Sequence, residues 1–247
     1  MEATIAVRTE NEVVPRLLSP SGGKPRGRYV WEPVLRFLIW SFTRTRVTGQ
    51  EYIPDSGPFI IVLNHVHWLD PALVVAAARK RYAVPIAKEE TLSWPLVGFL
   101  LYHYPCIFIR RGEVDLKAMR QARAILAAGH GLLIAPEGTR SRVGRLKRGK
   151  PGTAYLAKGF DPIFVPAAVT GTIGFGDEFR RLRRKHTQVI FGPPFRVRWP
   201  EGKIRKDALQ QITDEIMYRV AALLPPEMRG AYADLEHAAT EWLITGD

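Results

Sequence analysis

From residue 56 onward the chain alternates between short apolar runs and segments with helical periodicity, and few folds accept that alternation. Strands are predicted at 58–63, 82–87, 106–110, 131–135, 162–168 and 187–192. Helices are predicted at 71–80, 91–102, 114–128, 151–158 and 205–223, with another in the tail at 226–244. Phe59-Ile60-Ile61-Val62-Leu63 is apolar throughout and reads as a buried strand. The pattern predicts an α/β fold: one domain, with a mixed, largely parallel sheet flanked by helices on both faces. The 247 residues, 46% of them hydrophobic, suffice for a sizeable core. No internal repeat or second-domain linker interrupts them.

The chain divides into a flexible leader (1–28), an amphipathic membrane-proximal helix (29–46), a core domain (47–225) and a helical tail (226–247). Ser19-Pro20-Ser21-Gly22-Gly23-Lys24-Pro25 is linker-like. Segment 29–46 carries Trp31, Phe37 and Trp40 among Arg36, Arg44 and Arg46. It is too short and too charged to span a bilayer. It either lies in a membrane interface, aromatics inward, or packs on the core. The first 20 residues lack the apolar core of a signal peptide. Thr91–Ile109 is free of charge but is punctuated by Pro95, Gly98 and Pro105, so it reads as a helix and a strand within the fold.

Directly after the 58–63 run comes Asn64-His65-Val66-His67-Trp68-Leu69-Asp70. A potential base and a carboxylate thus sit where a strand yields to a helix. On a regular helix, residues five apart are offset by about 140° around the axis and do not face each other. His65 and Asp70 can meet only if the chain between them curls. Asp70-Pro71 supports this, because Asp is favoured at an N-cap and Pro at the first helical position. The helix is therefore expected to begin at Pro71. An imidazole is suited to proton transfer at neutral pH, and a carboxylate on its other nitrogen fixes the tautomer and stabilises the imidazolium. His67 is a second candidate base. A metal centre fits poorly: Asp70 falls one place late for a His-x-His-x-Asp-His ligand set and is followed by Pro71, and no other histidine has ligand spacing.

Three further segments follow in order: Cys106-Ile107-Phe108-Ile109-Arg110-Arg111, Ala135-Pro136-Glu137-Gly138-Thr139-Arg140-Ser141, and Val165-Pro166-Ala167-Ala168-Val169-Thr170-Gly171. Together with His-x4-Asp they resemble the four blocks of the glycerolipid and lysophospholipid acyltransferases. Lys88-Glu89 and Trp94-Pro95-Leu96-Val97-Gly98 add to the likeness, which covers about 30–225. The resemblance implies a glycerol-3-phosphate acyltransferase-like fold. It implies acyl transfer from a thioester, acyl-CoA or acyl-carrier protein, to the free hydroxyl of a lysophospholipid. The acceptor it implies first is 1-acylglycerol 3-phosphate, giving phosphatidic acid. Another lysolipid, an amino lipid, or a catalytically silent membrane-binding protein remain alternatives. It assigns the base to His65, its orientation to Asp70, and substrate binding to Arg110, Arg111, Glu137, Gly138, Thr139 and Arg140. The family commonly has Ser at the place of His67. No metal or other cofactor is implied.

Neighbouring strand residues point to opposite faces, so only one of Arg110 and Arg111 is expected in the site. Arg140 offers a planar fork suited to phosphate. Glu137 is expected to pair with an arginine or to hold a glycerol hydroxyl, and Gly138 to allow close approach of backbone N–H groups. The loop 137–150 holds six cations against Glu137 alone. Its Gly144–Lys150 stretch has P-loop spacing, but Pro151 stands where the magnesium-binding hydroxyl is needed, which argues against nucleotide binding.

The net charge of +12 and pI near 10.1 favour anionic partners. Arg180-Arg181-Leu182-Arg183-Arg184-Lys185 is a second cluster, suited to anionic headgroups or simply solvated. No nucleic-acid module signature accompanies it. The expected setting is the cytoplasmic face of a membrane. The single cysteine, Cys106, rules out an internal disulfide and reads as a buried small side chain.

Overall fold

The computed structural model describes residues 26–93, 98, 106–109 and 115–245. Arg110, Arg111 and residues 94–97 and 99–102 of the predicted helix 91–102 lie outside the described residues, as does the leader up to residue 25.

The chain enters on α1 (Arg26–Phe42) and passes directly into β1 (Thr43–Thr48). Then follow β2 (Phe59–Leu63), α2 (Asp70–Ala77), β3 (Ala83–Lys88), β4 (Ile107–Ile109) and α3 (Leu116–Ala127). Next come β5 (Gly131–Ile134), α4 (Gly152–Ala157), β6 (Ile163–Thr170), α5 (Phe175–Arg180) and β7 (Lys185–Phe191). The chain ends with β8 (Phe195–Val197), α6 (Lys206–Ala221), two 3₁₀ turns and β9 (Leu243–Thr245). The sheet order is β1-β7-β6-β2-β5-β3-β4, with β8 beside the start of β6 and β9 beside β8. From β6 to β4 every pairing is parallel; β7 runs antiparallel to β6, and β1 parallel to β7. The sheet is mixed and largely parallel, as the alternation predicts.

Every residue of β2 is buried because both faces of the sheet are covered. Ile60 and Val62 join Leu132, Phe164 and the helices α3, α4 and α6 in one core. Phe59, Ile61 and Leu63 join Leu133, Val165 and α2 in the other. Leu35 and Ile39 of α1 pack on this second core, whereas Phe37 and Trp40 are 62% and 64% exposed. The helix thus packs one side on the core and exposes aromatic rings on the other. Cys106 is buried just before β4.

Two expectations are corrected. The segment 29–46 is not one helix. It ends at Phe42, and Thr43-Arg-Thr-Arg-Val-Thr runs as an edge strand, its threonine hydroxyls chained from Thr43 through Thr45 to Thr187 of β7 at 2.8 Å each. The tail is not helical. Pro225-Pro226 and Gly230 break it into the 3₁₀ turns Pro226–Met228 and Gly230–Tyr232. Gly230 has φ +51°, and a Cβ there would strike the Leu146 carbonyl oxygen. Further on, buried Glu215 of α6 accepts the N–H groups of Glu241 and Trp242 at 3.0 Å each and leads the chain into β9.

The C-terminal ends of β2, β3, β5 and β6 share one edge of the sheet, and the starts of β1 and β7 join them there. Such an edge is where open α/β sheets receive ligands. Among the described residues no helix is long and apolar enough to cross a membrane.

Candidate active site

Between β2 and α2 the chain curls, as the His-x4-Asp spacing requires, and Asp70 lies fully buried beneath it. The cap assignment is corrected. Asp70 is the first residue of α2, and its carboxylate faces backward into the loop instead of forward onto the helix. Oδ2 accepts the N–H groups of Val66 at 2.7 Å and His67 at 2.6 Å. Oδ1 accepts the hydroxyl of buried Thr172, beyond β6, at 2.8 Å. Three donors thus hold one carboxylate in place.

His65 Nδ1 lies 3.4 Å from Asp70 Oδ2. That is longer than a formed hydrogen bond, and such contacts tighten as charge develops on the ring. Nδ1 is sealed from solvent while His65 lines a cavity, which leaves Nε2 as the nitrogen a substrate can reach. The backbone of His65 is gripped from both sides. Its N–H donates to Glu137 Oε1 at 2.8 Å, and its carbonyl accepts the Ser141 N–H at 2.7 Å.

This geometry corrects the role expected of Glu137. Its side chain is buried, it does not line the cavity, and its second oxygen accepts the Lys147 N–H at 2.9 Å. Backbone N–H groups, not an arginine, are the protein partners found. Glu137 ties the base to both ends of the cationic loop. Desolvation pushes its pKa above the ordinary carboxylate range, and the hydrogen bonds from Lys147 and His65 oppose that.

His67 stands apart from the His65–Asp70 contact. Its Nδ1 accepts the Leu69 N–H at 3.3 Å, and its ring packs beside Trp68 and Phe175. Burial lowers its pKa, Asp70 opposes this, and Arg140 and His65 lower it further. The ring is wedged against aromatics and does not line the cavity.

The cavity encloses about 600 Å³. It is lined by Leu35, Leu38, Ile39 and Phe42 of α1 and by Met119 and Leu156. His65, Gly138, Thr139 and Arg140, with Arg142 and Lys150, also line it. Of the predicted site residues, His65, Asp70 and the 137–140 turn come together; Arg110 and Arg111 lie outside the described residues. Sequence reading missed Thr172 and Asn64. Buried Asn64 exchanges two hydrogen bonds with the Val169 backbone, at 2.9 and 2.7 Å, and so fixes the His65 loop to β6. A polar side chain directly after a wholly apolar strand is the signal that could have revealed it.

The Acyltransferase family model matches residues 44–170, just over half of the chain. A probable 1-acyl-sn-glycerol-3-phosphate acyltransferase of Mycoplasma pneumoniae is 30% identical over 186 residues, covering 68% of each chain. The Borreliella burgdorferi 1-acyl-sn-glycerol-3-phosphate acyltransferase is also 30% identical, over 52% of each chain. A lyso-ornithine lipid O-acyltransferase of Pseudomonas aeruginosa is 41% identical over a shorter stretch, 38% of this chain and 34% of that one. In fold, the chain is similar to the crystal structure of the 1-acyl-sn-glycerophosphate acyltransferase PlsC of Thermotoga maritima. The TM-score is 0.58 and the identity 24%, over 87% of this chain and 83% of that one. The family match runs from β1 to the end of β6 and so takes in the His65–Asp70 pair and the cationic turn beside it: the chain belongs to the Acyltransferase family.

Proposed function

We propose that this protein transfers a fatty acyl group from a thioester to the free hydroxyl of 1-acylglycerol 3-phosphate, forming phosphatidic acid. The observation that carries this reading is the cavity itself. Its lining is mostly apolar, and His65, Arg140 and Arg142 are among the residues of its wall. Such a lining suits an amphiphile with an anionic head. The names of the Mycoplasma and Borreliella relatives agree with it.

In this reaction His65 Nε2 takes the acceptor hydroxyl proton as the oxygen attacks the thioester carbonyl carbon. The new C–O bond forms, the C–S bond breaks, and the departing thiolate receives the proton from His65. Asp70 stabilises the imidazolium in between. Arg140 and Arg142 hold the acceptor phosphate through charge-assisted hydrogen bonds. The chemistry needs no acyl-enzyme, and the donor is acyl-CoA or acyl-carrier protein.

Acceptors and donors should be screened with purified protein in mixed micelles, reading acylated product by mass spectrometry. Turnover of 1-acylglycerol 3-phosphate should exceed that of monoacylglycerol and lysophosphatidylcholine. A preference for a phosphate-free acceptor would overturn the reading. The P. aeruginosa relative makes lyso-ornithine lipid the comparison to include.

The setting that fits this substrate is an anionic membrane surface on the cytoplasmic side. Exposed Phe37 and Trp40 lie on α1, whose opposite side lines the cavity. Phe42 meets Phe179 of α5 at 5.0 Å, and Arg184 lies over the Trp40 ring at 4.9 Å. Leu182, 93% exposed, stands among Arg180, Arg181 and Arg183. Apolar and cationic groups are thus joined in one surface at the cavity mouth. Sedimentation with liposomes should rise with anionic lipid and fall with salt. Replacing Phe37 and Trp40 together by Ala should remove the salt-resistant fraction. Equal binding to neutral and anionic liposomes at low salt would refute the electrostatic part.

A further inference from the structure

Six cations crowd the loop from Glu137 to Lys150, and their bonds divide them. Lys147 donates its Nζ to the Arg140 carbonyl at 3.1 Å, and Arg148 pairs with Asp214 of α6 at 2.8 Å. Both are committed to holding the loop. Arg145 lies beside the Gly230 turn, away from the cavity. Arg140, Arg142 and Lys150 line the cavity.

Lys150 arrives there by a route that its place in the sequence conceals. Its N–H donates to the Pro136 carbonyl at 2.9 Å, so the end of the loop folds back on its beginning. The side chain then crosses Gly138. A Cβ built on Gly138 would lie 3.2 Å from Lys150 Cδ and 3.3 Å from both Cε and Nζ. With φ +66°, Gly138 adopts a backbone shape that suits glycine and leaves this path open. Among the described residues no carboxylate pairs with the Lys150 ammonium.

The backbone beneath Lys150 is also fixed in advance. The Gly149 N–H donates to the Tyr232 hydroxyl at 2.8 Å, and its carbonyl accepts Gln210 Nε2 at 2.9 Å. Tyr232 in turn donates to Asp214 Oδ1 at 2.7 Å. Helix α6 and the C-terminal 3₁₀ turn thus clamp the residue before Lys150. An unpaired cation on a clamped backbone, aimed into a substrate cavity, is preorganised for an anion.

We propose that Lys150 is a further binding residue of the acceptor site, where its ammonium takes the phosphate monoester together with Arg140 and Arg142. This rests on the lysophosphatidate reading above. A phosphate monoester carries more than one negative charge near pH 7, and a compact ammonium complements the arginine forks as a point charge. Phosphate chemistry also belongs to the coenzyme A donor, so the test must separate the two sources.

Steady-state kinetics of the full chain in mixed micelles, with 1-oleoylglycerol 3-phosphate and oleoyl-CoA varied in turn, does so. Lys150→Ala should raise the acceptor KM about ten- to a hundredfold and leave the donor KM within about twofold. Lys150→Arg should recover most of the loss, which a merely structural role would not predict. An unchanged acceptor KM, or a rise confined to the donor KM, overturns the assignment. Calorimetric binding of 1-oleoylglycerol 3-phosphate to His65→Ala protein, with and without Lys150→Ala, needs no turnover. Weaker binding in the double variant upholds Lys150 even if the wild type acylates some other phosphorylated lipid. Equal binding refutes Lys150 and leaves the proposed reaction standing.

Discussion

His65→Ala is expected to lose turnover by about 10²–10⁴-fold, the range supplied by a positioned general base. Its melting temperature should stay close to the wild type, because the contacts that hold residue 65 come from its backbone, to Glu137 and Ser141, and survive the substitution. Asp70→Asn should lose a comparable amount with little unfolding. An amide can keep its oxygen on the Val66 and His67 N–H groups and turn its nitrogen to the Thr172 hydroxyl, which can accept. Geometry is retained and only the charge facing the imidazolium is lost. His67→Ser should keep most activity, since His67 does not line the cavity and its Nδ1 is turned to Leu69. The measurement is thiol release from acyl-CoA under saturating acceptor, alongside thermal melts. Activity that survives His65→Ala and vanishes in His67→Ala would identify the other imidazole as the base.

The dyad was legible in sequence because its demand is local. The six residues between strand and helix, 64–69, can bring His65 to Asp70 only through a turn, and Asp70-Pro71 marked where the turn ends. What fixes Asp70 was not legible. Thr172 reaches it across a hundred residues of chain, from just beyond a strand that neighbours β2 only in three dimensions. The same distance hid Asn64, whose partner is the Val169 backbone. The parallel strands could be read from their apolar runs, since burial on both faces leaves that signature. β1 was absorbed into the preceding helix because no Gly or Pro separates Phe42 from Thr43; only the β-branched alternation Thr43, Thr45, Val47 marked the change. In the tail, apolar spacing suggested a helix, but Gly230 and the buried Glu215 carboxylate impose turns and an edge strand. A contact with distant backbone outweighed local periodicity in each case.

Glu137→Ala is expected to be the most damaging change outside the dyad. In a basic loop a carboxylate suggests a partner among the arginines, yet this one faces inward at 2% exposure and accepts two backbone N–H groups. Removing it leaves two part-buried donors without their acceptor, each costing up to about 1–3 kcal/mol. The melting temperature should fall by several degrees, and turnover by about two orders of magnitude, because the His65 amide loses its hold. Glu137→Gln separates the two effects. Its oxygen can serve only one of the N–H groups, and its NH₂ faces the other as a second donor. It should therefore be destabilised less than Glu137→Ala while still losing turnover. The kinetic split decides the role. A positioning residue lowers kcat with little change in acceptor KM, since it touches no substrate. If Glu137→Gln instead raises acceptor KM alone, with an unaltered melt, the carboxylate turns outward in the working enzyme and holds the glycerol hydroxyl, as its place in the sequence first suggests.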